Sequence, residues 1–141
     1  IDPANFNCPG QVVISGSSRN MSKACDVFKS NGAKAIPLSV GGGFHSIYMQ
    51  PAKSRLEDAI MSIKFQKPNA PIYQNVDSKK NEDTDLIRKN LVKQLTSPVL
   101  WTQTVQNMID DKIDLFIECG PGRVLQGLVK KINRKISTES I

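Results

Sequence analysis

The chain contains few of the residues that most often carry chemistry: one histidine, three cysteines and one tryptophan among 141 residues. Cys8, Cys25 and Cys119 are odd in number and form no Cys-x-x-Cys pair, which argues against a disulfide framework and a zinc site. This usage fits a reducing cytosol, so we expect a cytoplasmic protein in which the cysteines are small buried apolar side chains. One histidine and scattered carboxylates supply no other metal-ligand set.

Long apolar runs are also missing. No run approaches the eighteen or more apolar residues that a membrane-spanning helix needs, and residues 1–5 have neither the basic start nor the apolar stretch of a signal peptide. We therefore expect no membrane partner and no secretion. The chain does not begin with methionine and opens in what is predicted to be a loop, so we expect a truncated polypeptide.

What is present is a globular balance, with 39% hydrophobic and 23% charged residues. This composition and length fit one ordinary domain with a core. The formal net charge is +6, and the basic residues concentrate near the C-terminal end. They are Arg123, Lys130, Lys131, Arg134 and Lys135. This cluster is either a solvated helix face or a surface for an acidic partner or a phosphorylated ligand.

Predicted strands and helices alternate along the chain. Short apolar runs between turn signals predict strands at residues 11–15, 33–40, 72–76 and 113–119. Apolar residues at helical spacing predict helices at about residues 18–31, 51–65, 83–95, 98–108 and 123–132. Within these helices we expect core positions at Leu86, Ile87, Leu91, Leu95 and Trp101. The first strand, helix and second strand form a predicted βαβ or split-βαβ unit, and the alternation indicates α/β architecture.

The single histidine follows a run of three glycines. An apolar stretch at residues 36–40 breaks into these glycines and then delivers Phe44 and His45 where a helix should begin. Imidazole both takes and gives a proton near neutral pH, and the glycines allow close approach of a substrate. His45 is therefore the first candidate catalytic residue. The alternative is that the glycines form a turn and the histidine caps a helix.

A catalytic histidine needs a nucleophile to deprotonate and a group that holds its other ring nitrogen. No serine here lies in a Gly-x-Ser-x-Gly elbow, so a nucleophile for His45 has to lie outside these residues. A second glycine turn at residues 120–122 lies between a predicted strand and a predicted helix. It is either an anion or oxyanion site or a tight turn without a ligand.

Five sequence blocks carry a resemblance. They are residues 5–16 (NFNCPGQVVISG), residues 43–46 (GFHS) with Met49 and residues 51–52 (PA), residues 75–77 (NVD), residues 91–99 (LVKQLTSPV) with Trp101, and residues 118–122 (ECGPG). In this order and spacing, over nearly the whole chain, they resemble the C-terminal half of the malonyl-CoA:acyl carrier protein transacylase family.

The resemblance implies a large α/β-hydrolase-like subdomain with a small ferredoxin-like subdomain inserted in it. Residues 1–40 would be the second half of the small subdomain, and residues 41–141 the C-terminal part of the large one. The implied reaction, in fatty acid biosynthesis, moves malonyl from coenzyme A to the phosphopantetheine thiol of acyl carrier protein through a seryl ester. The implied partners are malonyl-CoA and acyl carrier protein, with a coenzyme A thioester as substrate and no bound cofactor.

The resemblance also implies roles for individual residues. His45 matches the catalytic histidine of the family, and Gln94 matches the position whose backbone carbonyl accepts a hydrogen bond from its other ring nitrogen. Phe44 matches the phenylalanine that accompanies malonyl specificity in related acyltransferases. Asn5, Asn7 and Lys34 match positions where the family approaches coenzyme A.

The chain departs from the family in lacking the half with the nucleophilic serine, the arginine that clamps the malonyl carboxylate and the glutamine of the oxyanion hole. We therefore expect the chain alone to be inactive and to fold poorly, because a parallel sheet without its central strands leaves apolar faces bare. Two alternatives remain. One is a basic α/β module that binds a nucleotide or RNA, and the other is a non-catalytic remnant of a synthase.

Overall fold

The structure, a computed structural model, describes residues 1–141. It contains six strands in three two-stranded sheets. The strands are β1 (Asp2–Cys8), β2 (Gln11–Ser15), β3 (Ile72–Tyr73), β4 (Lys80–Asn81), β5 (Leu115–Glu118) and β6 (Ser137–Ser140). The helices are α1 (Ser18–Ser30), α2 (Lys53–Met61), α3 (Thr84–Gln94), α4 (Trp101–Asp110) and α5 (Val124–Ile132), and a 3₁₀ segment (Ile47–Ala52) precedes α2.

The N-terminal segment is a strand and not the predicted loop. β1 pairs antiparallel with β2, and the two are joined at Gly10, whose φ of 79° suits the tight connection. α1 follows directly, with the Ser17 hydroxyl accepting from the backbone N–H of Asn20 as its N-cap. The strand predicted at residues 33–40 does not form, so the βαβ unit is wrong. This segment pairs with no strand, and its apolar side chains are exposed: 62% for Ile36, 59% for Leu38 and 63% for Val40.

The middle of the chain links α3 to β1. α3 begins after an Asp83 N-cap and ends at Gln94, close to the predicted helix at residues 83–95. The next helix starts at Trp101 and not at Pro98. The reason is that Val99 is used in an extended bridge to Asn5: its N–H donates to Ala4 O at 2.8 Å, and its carbonyl accepts from Phe6 N at 2.9 Å. These bonds tie the segment after α3 to the N-terminal hairpin.

The C-terminal part is a parallel strand pair with a helix across it. β5 pairs parallel with β6, a strand that the sequence analysis missed, and α5 packs on both. Parallel strands are normally covered on both faces. In this chain they are not, because Leu115 and Ile117 of β5 are 39% and 49% exposed.

The core of the chain is small. Only 15 of 141 residues are buried, among them Val105 and Val129. Ile87 of α3 is buried, as expected, together with Val92. Leu86 and Leu91, which we also expected in the core, are each 40% exposed. Of the cysteines, Cys8 is buried as expected, Cys25 is intermediate and Cys119 is exposed. The helices fall short of the length and apolarity that crossing a bilayer demands.

Candidate active site

His45 lies in a strained backbone turn. Its φ is 58°, in the left-handed region that non-glycine residues rarely adopt, at a cost of about 1–2 kcal/mol. The helical turn predicted after it is present as the 3₁₀ segment, capped by the Ser46 side chain, which accepts from Tyr48 N. Backbone strain of this kind concentrates at functional sites, where the surrounding structure holds it in place.

The imidazole ring of His45 is held by a backbone group. Nδ1 lies 3.1 Å from the carbonyl oxygen of Gln94, at the C-terminal end of α3. The side-chain Nε2 of Gln94 lies farther from the same Nδ1, at 3.4 Å. In the shorter contact the carbonyl oxygen only accepts, so the tautomer that satisfies it carries the proton on Nδ1. The neutral ring then has its lone pair on Nε2, which leaves that nitrogen able to act as a base. The contact implied by the family resemblance is therefore present in the structure.

The side chain of Gln94 fixes the chain around this carbonyl. Its Nε2 donates to Ser97 O at 2.9 Å and approaches Pro98 O at 3.4 Å, across the turn that follows α3. The bridge from Val99 to β1 holds the far end of the same turn. The acceptor for His45 is thus anchored from both sides by hydrogen bonds within the chain.

An open cleft of about 320 Å³ borders the histidine. It is lined by Asp2, Pro3, His45, Ser46, Ile47, Thr96 and Pro98. The hairpin, the histidine turn and the segment after α3 therefore meet at one place. The sequence analysis identified only His45 among these lining residues, because the others are ordinary residue types. Asp2, Pro3, Thr96 and Pro98 are brought next to the histidine turn by the β1–Val99 bridge, which the sequence does not reveal.

The other predicted site residues are not gathered here. Phe44 is next to His45 in the chain and 50% exposed. Asn5 and Asn7 lie on β1 with intermediate exposure, and the exposed Lys34 follows α1. None of these four lines the cleft. The structure brings together His45 and Gln94 but does not place the other four residues in the lining of the cleft.

At the second glycine turn, residues 120–122, a side chain of this chain binds the helix N-terminus. The N–H groups of Leu125 and Gln126, in the first turn of α5, donate to the two carboxylate oxygens of Glu118 at 3.1 and 3.0 Å. An acidic side chain from the preceding strand thus fills the position where an external anion would bind. The turn alternative is the one that the structure supports. No group of three or more His, Cys, Asp or Glu residues is placed to hold a metal ion.

Comparison with known proteins extends these observations. Residues 1–140 match the family model described as the acyl transferase domain. Malonyl CoA-acyl carrier protein transacylases from Staphylococcus aureus (strain MSSA476) and Bacillus subtilis (strain 168) are 42% and 41% identical over 100% and 98% of this chain. The chain spans 46% and 44% of their lengths, about half of each.

Solved structures of proteins with related names also superpose closely on this chain. An acyl-carrier-protein S-malonyltransferase from Burkholderia pseudomallei superposes with a TM-score of 0.95 at 37% identity, over 99% of this chain and 46% of that one. A malonyl-transacylase in complex with its type II PKS acyl-carrier protein gives 0.94 at 41% identity, over 99% and 45%.

The α/β fold is that of the acyl transferase domain, the class of protein whose family model matches residues 1–140. The chain belongs to the acyl transferase domain family. Within that family, the relatives to which it is similar are the malonyl-CoA:acyl carrier protein transacylases. The likeness favours membership of this family over the nucleotide-binding or RNA-binding module that the basic charge had suggested.

Proposed function

We propose that this chain supplies the catalytic histidine of a malonyl-CoA:acyl carrier protein transacylase. The observation that carries the proposal is the 3.1 Å contact between His45 Nδ1 and Gln94 O beside an open cleft. Because this contact fixes the tautomer, Nε2 is the ring atom that exchanges protons. The chain contains no serine elbow, so the nucleophile comes from a segment that these residues do not include.

In this proposal His45 moves one proton at each step. Nε2 takes the serine hydroxyl proton as the serine oxygen attacks the malonyl thioester, and then gives it to the departing coenzyme A sulfur. In the second half-reaction Nε2 takes the proton of the phosphopantetheine thiol as its sulfur attacks the seryl ester, and returns it to the serine oxygen. Each positioned proton transfer is worth roughly 10²–10⁴-fold in rate.

The remaining site residues have supporting roles in the proposal. Phe44 crowds the carbon that carries the extra methyl group in methylmalonyl and so favours malonyl. Asn5, Asn7 and Lys34 contact the coenzyme A portion of the substrate, and the basic C-terminal helix faces the acyl carrier protein. The coenzyme A thioester is a substrate, and no bound cofactor is proposed. A cytoplasmic location goes with this assignment.

The proposed domain organisation follows the family. Residues 1–40 are the second half of a ferredoxin-like subdomain, and residues 41–141 are the C-terminal part of an α/β-hydrolase-like subdomain. The exposed apolar side chains on β5, α5 and residues 36–40 support this organisation, because a further segment of about the same length would cover them. The relatives are about twice as long as this chain, which leaves room for such a segment.

The experiment is assembly in trans. This chain is refolded with the segment of the Bacillus subtilis relative that it does not match, and malonyl transfer from malonyl-CoA to acyl carrier protein is followed. We expect no transfer by either part alone and transfer by the mixture. Transfer by the mixture that persists unchanged in His45→Ala, with Ser30→Ala as control, contradicts the proposal. A filter-binding assay with RNA at two salt concentrations tests the alternative, since phosphate contacts give a steep salt dependence.

A further inference from the structure

The hydroxyl group of Ser46, the residue after His45, makes its full set of hydrogen bonds. It is 2% exposed. Its Oγ donates to the carbonyl of Gly43 at 2.5 Å, and accepts from Tyr48 N and from Ser15 Oγ, each at 3.4 Å. A serine hydroxyl has one donor and two acceptor positions, so every hydrogen-bonding position of Ser46 is filled.

These bonds enclose the histidine. Gly43 precedes His45 by two residues and Tyr48 follows it by three, so a single hydroxyl group ties together the backbone on both sides. His45 stands between them with φ 58°. A left-handed histidine persists only when its surroundings over-determine the backbone, and the Ser46 bonds do this at the nearest available position.

The packing around the hydroxyl group is tight. A Cβ atom added at Gly43 would lie 3.0 Å from Tyr48 Cβ, 3.1 Å from Ser15 Oγ and 3.2 Å from Ser46 Oγ. A side chain at position 43 would therefore crowd all three atoms, including the Ser46 hydroxyl oxygen. Ser15, at the end of β2, brings the N-terminal hairpin into the same cluster.

We propose that Ser46 is a positioning residue: its hydroxyl group holds His45 in the left-handed conformation that presents Nδ1 to the carbonyl of Gln94. Its effect on turnover rests on the proposed function, whereas its effect on the ring does not. Losing the hydroxyl group removes the bonds to Gly43 and Tyr48 together, so the turn relaxes toward negative φ and the ring leaves Gln94.

The test uses the fact that the chain has one histidine. With ¹⁵N-histidine in this chain and a purification tag free of histidine, the spectrum reports the His45 ring alone, and the backbone three-bond coupling reports its φ. Spectra are recorded on the chain refolded with the unlabelled Bacillus subtilis segment. The control is Ser30→Ala, because the exposed Ser30 hydroxyl also donates to a carbonyl three residues earlier, that of Val27 at 2.9 Å.

We expect Ser46→Ala to lose the Nδ1–H signal and the positive-φ coupling, while Ser30→Ala keeps both. In the active assembly Ser46→Ala lowers kcat about 10²-fold with little change in KM, as expected for a misplaced base. A folded Ser46→Ala variant that keeps the ring signal and the coupling overturns the proposal. If that variant does not fold, Gly43→Ala decides by displacing the hydroxyl group, and unchanged signals there overturn it. An inactive assembly whose signals respond as expected rejects the proposed function and leaves the role of Ser46 standing.

Discussion

His45 Nδ1 and the backbone carbonyl oxygen of Gln94 lie 3.1 Å apart, although 49 residues separate them in the chain. The acceptor is a main-chain atom, so a substitution at position 94 does not remove it. Substitutions of His45 and of Gln94 should therefore differ in their effect on the enzyme.

We expect His45→Ala to abolish malonyl transfer in the assembled enzyme, and Gln94→Ala to lower it by a much smaller factor. The effect of Gln94→Ala comes from the loss of its Nε2, which bonds to Ser97 O and Pro98 O and lies 3.4 Å from His45 Nδ1. Steady-state kcat for both variants is the measurement. Equal losses would mean that the Gln94 side chain, and not its carbonyl, serves the histidine.

The second prediction concerns the phenol of Tyr73, which donates to the carboxylate of Asp111. This hydrogen bond, together with burial and the nearby negative charge, raises the pKa of Tyr73 from 10.0 to about 12. The same bond, with Lys80 Nζ at 3.1 Å, lowers the pKa of Asp111. Because the Tyr73 pKa is raised in the folded state, its stabilising effect is complete below pH 10 and is lost as the pH rises toward 12.

A spectrophotometric titration of the chain, which has two tyrosines, measures this shift. Tyr73→Phe is expected to remove the step at about pH 12, and Asp111→Asn to move it down toward 10. Tyr48→Phe, with its exposed ring, is the control and should leave that step in place. A high-pH step that survives in Asp111→Asn would contradict the assigned cause.

The third prediction concerns acyl selectivity. We expect Phe44→Ser to raise the rate with methylmalonyl-CoA relative to malonyl-CoA roughly 10-fold or more, since one methyl group in a pocket is worth about 1–3 kcal/mol. Ile47→Ser is the matched control, because Ile47 borders the cleft but has no proposed contact with the acyl group. The measurement is the ratio of kcat/KM for the two thioesters in the assembled enzyme. An unchanged ratio removes Phe44 from the specificity assignment.

The fourth prediction concerns the bare face of β5. Ile117→Lys places a charge on a side chain that is already 49% exposed, so we expect little change in the chain alone but loss of assembly with the complementary segment. Ser137→Lys on the exposed side of β6 is the control and should assemble normally. Thermal unfolding should sharpen and move to higher temperature when the segment is added to the wild-type chain. A sharp transition in the isolated monomer would show that the β5 face needs no cover.

The sequence predicted the elements whose signals are local. α1 and α3 have side-chain caps at Ser17 and Asp83, and both helices form where these caps indicate. Strands were harder, because strand formation depends on a partner. β1 and β6 are polar, with Asn5 and Asn7 in one and four polar residues in the other, and were missed. Residues 33–40 have the apolar pattern of a strand but no partner within this chain.

The residues of the candidate site also fall into those that local sequence signals identify and those that they do not. His45 was identifiable from its isolation and the glycines before it, and Gln94 only from the family resemblance, since nothing local marks a backbone carbonyl. Ser46 was not identified, because a serine at the start of a helical turn is usually a cap. Its bond to Gly43 depends on the left-handed turn at His45, and its bond to Ser15 forms only once β2 and the histidine turn are in contact.

The most direct test of the account is the rate at which malonyl becomes attached to the serine of the assembled enzyme. Rapid quenching after addition of malonyl-CoA, followed by intact-mass measurement of the serine-bearing segment, gives this rate for wild type, His45→Ala and the control Ser30→Ala. We expect Ser30→Ala to match wild type and His45→Ala to be slower by roughly 10²–10⁴-fold. Malonylation at the wild-type rate in His45→Ala would contradict the assignment of His45 as the proton shuttle.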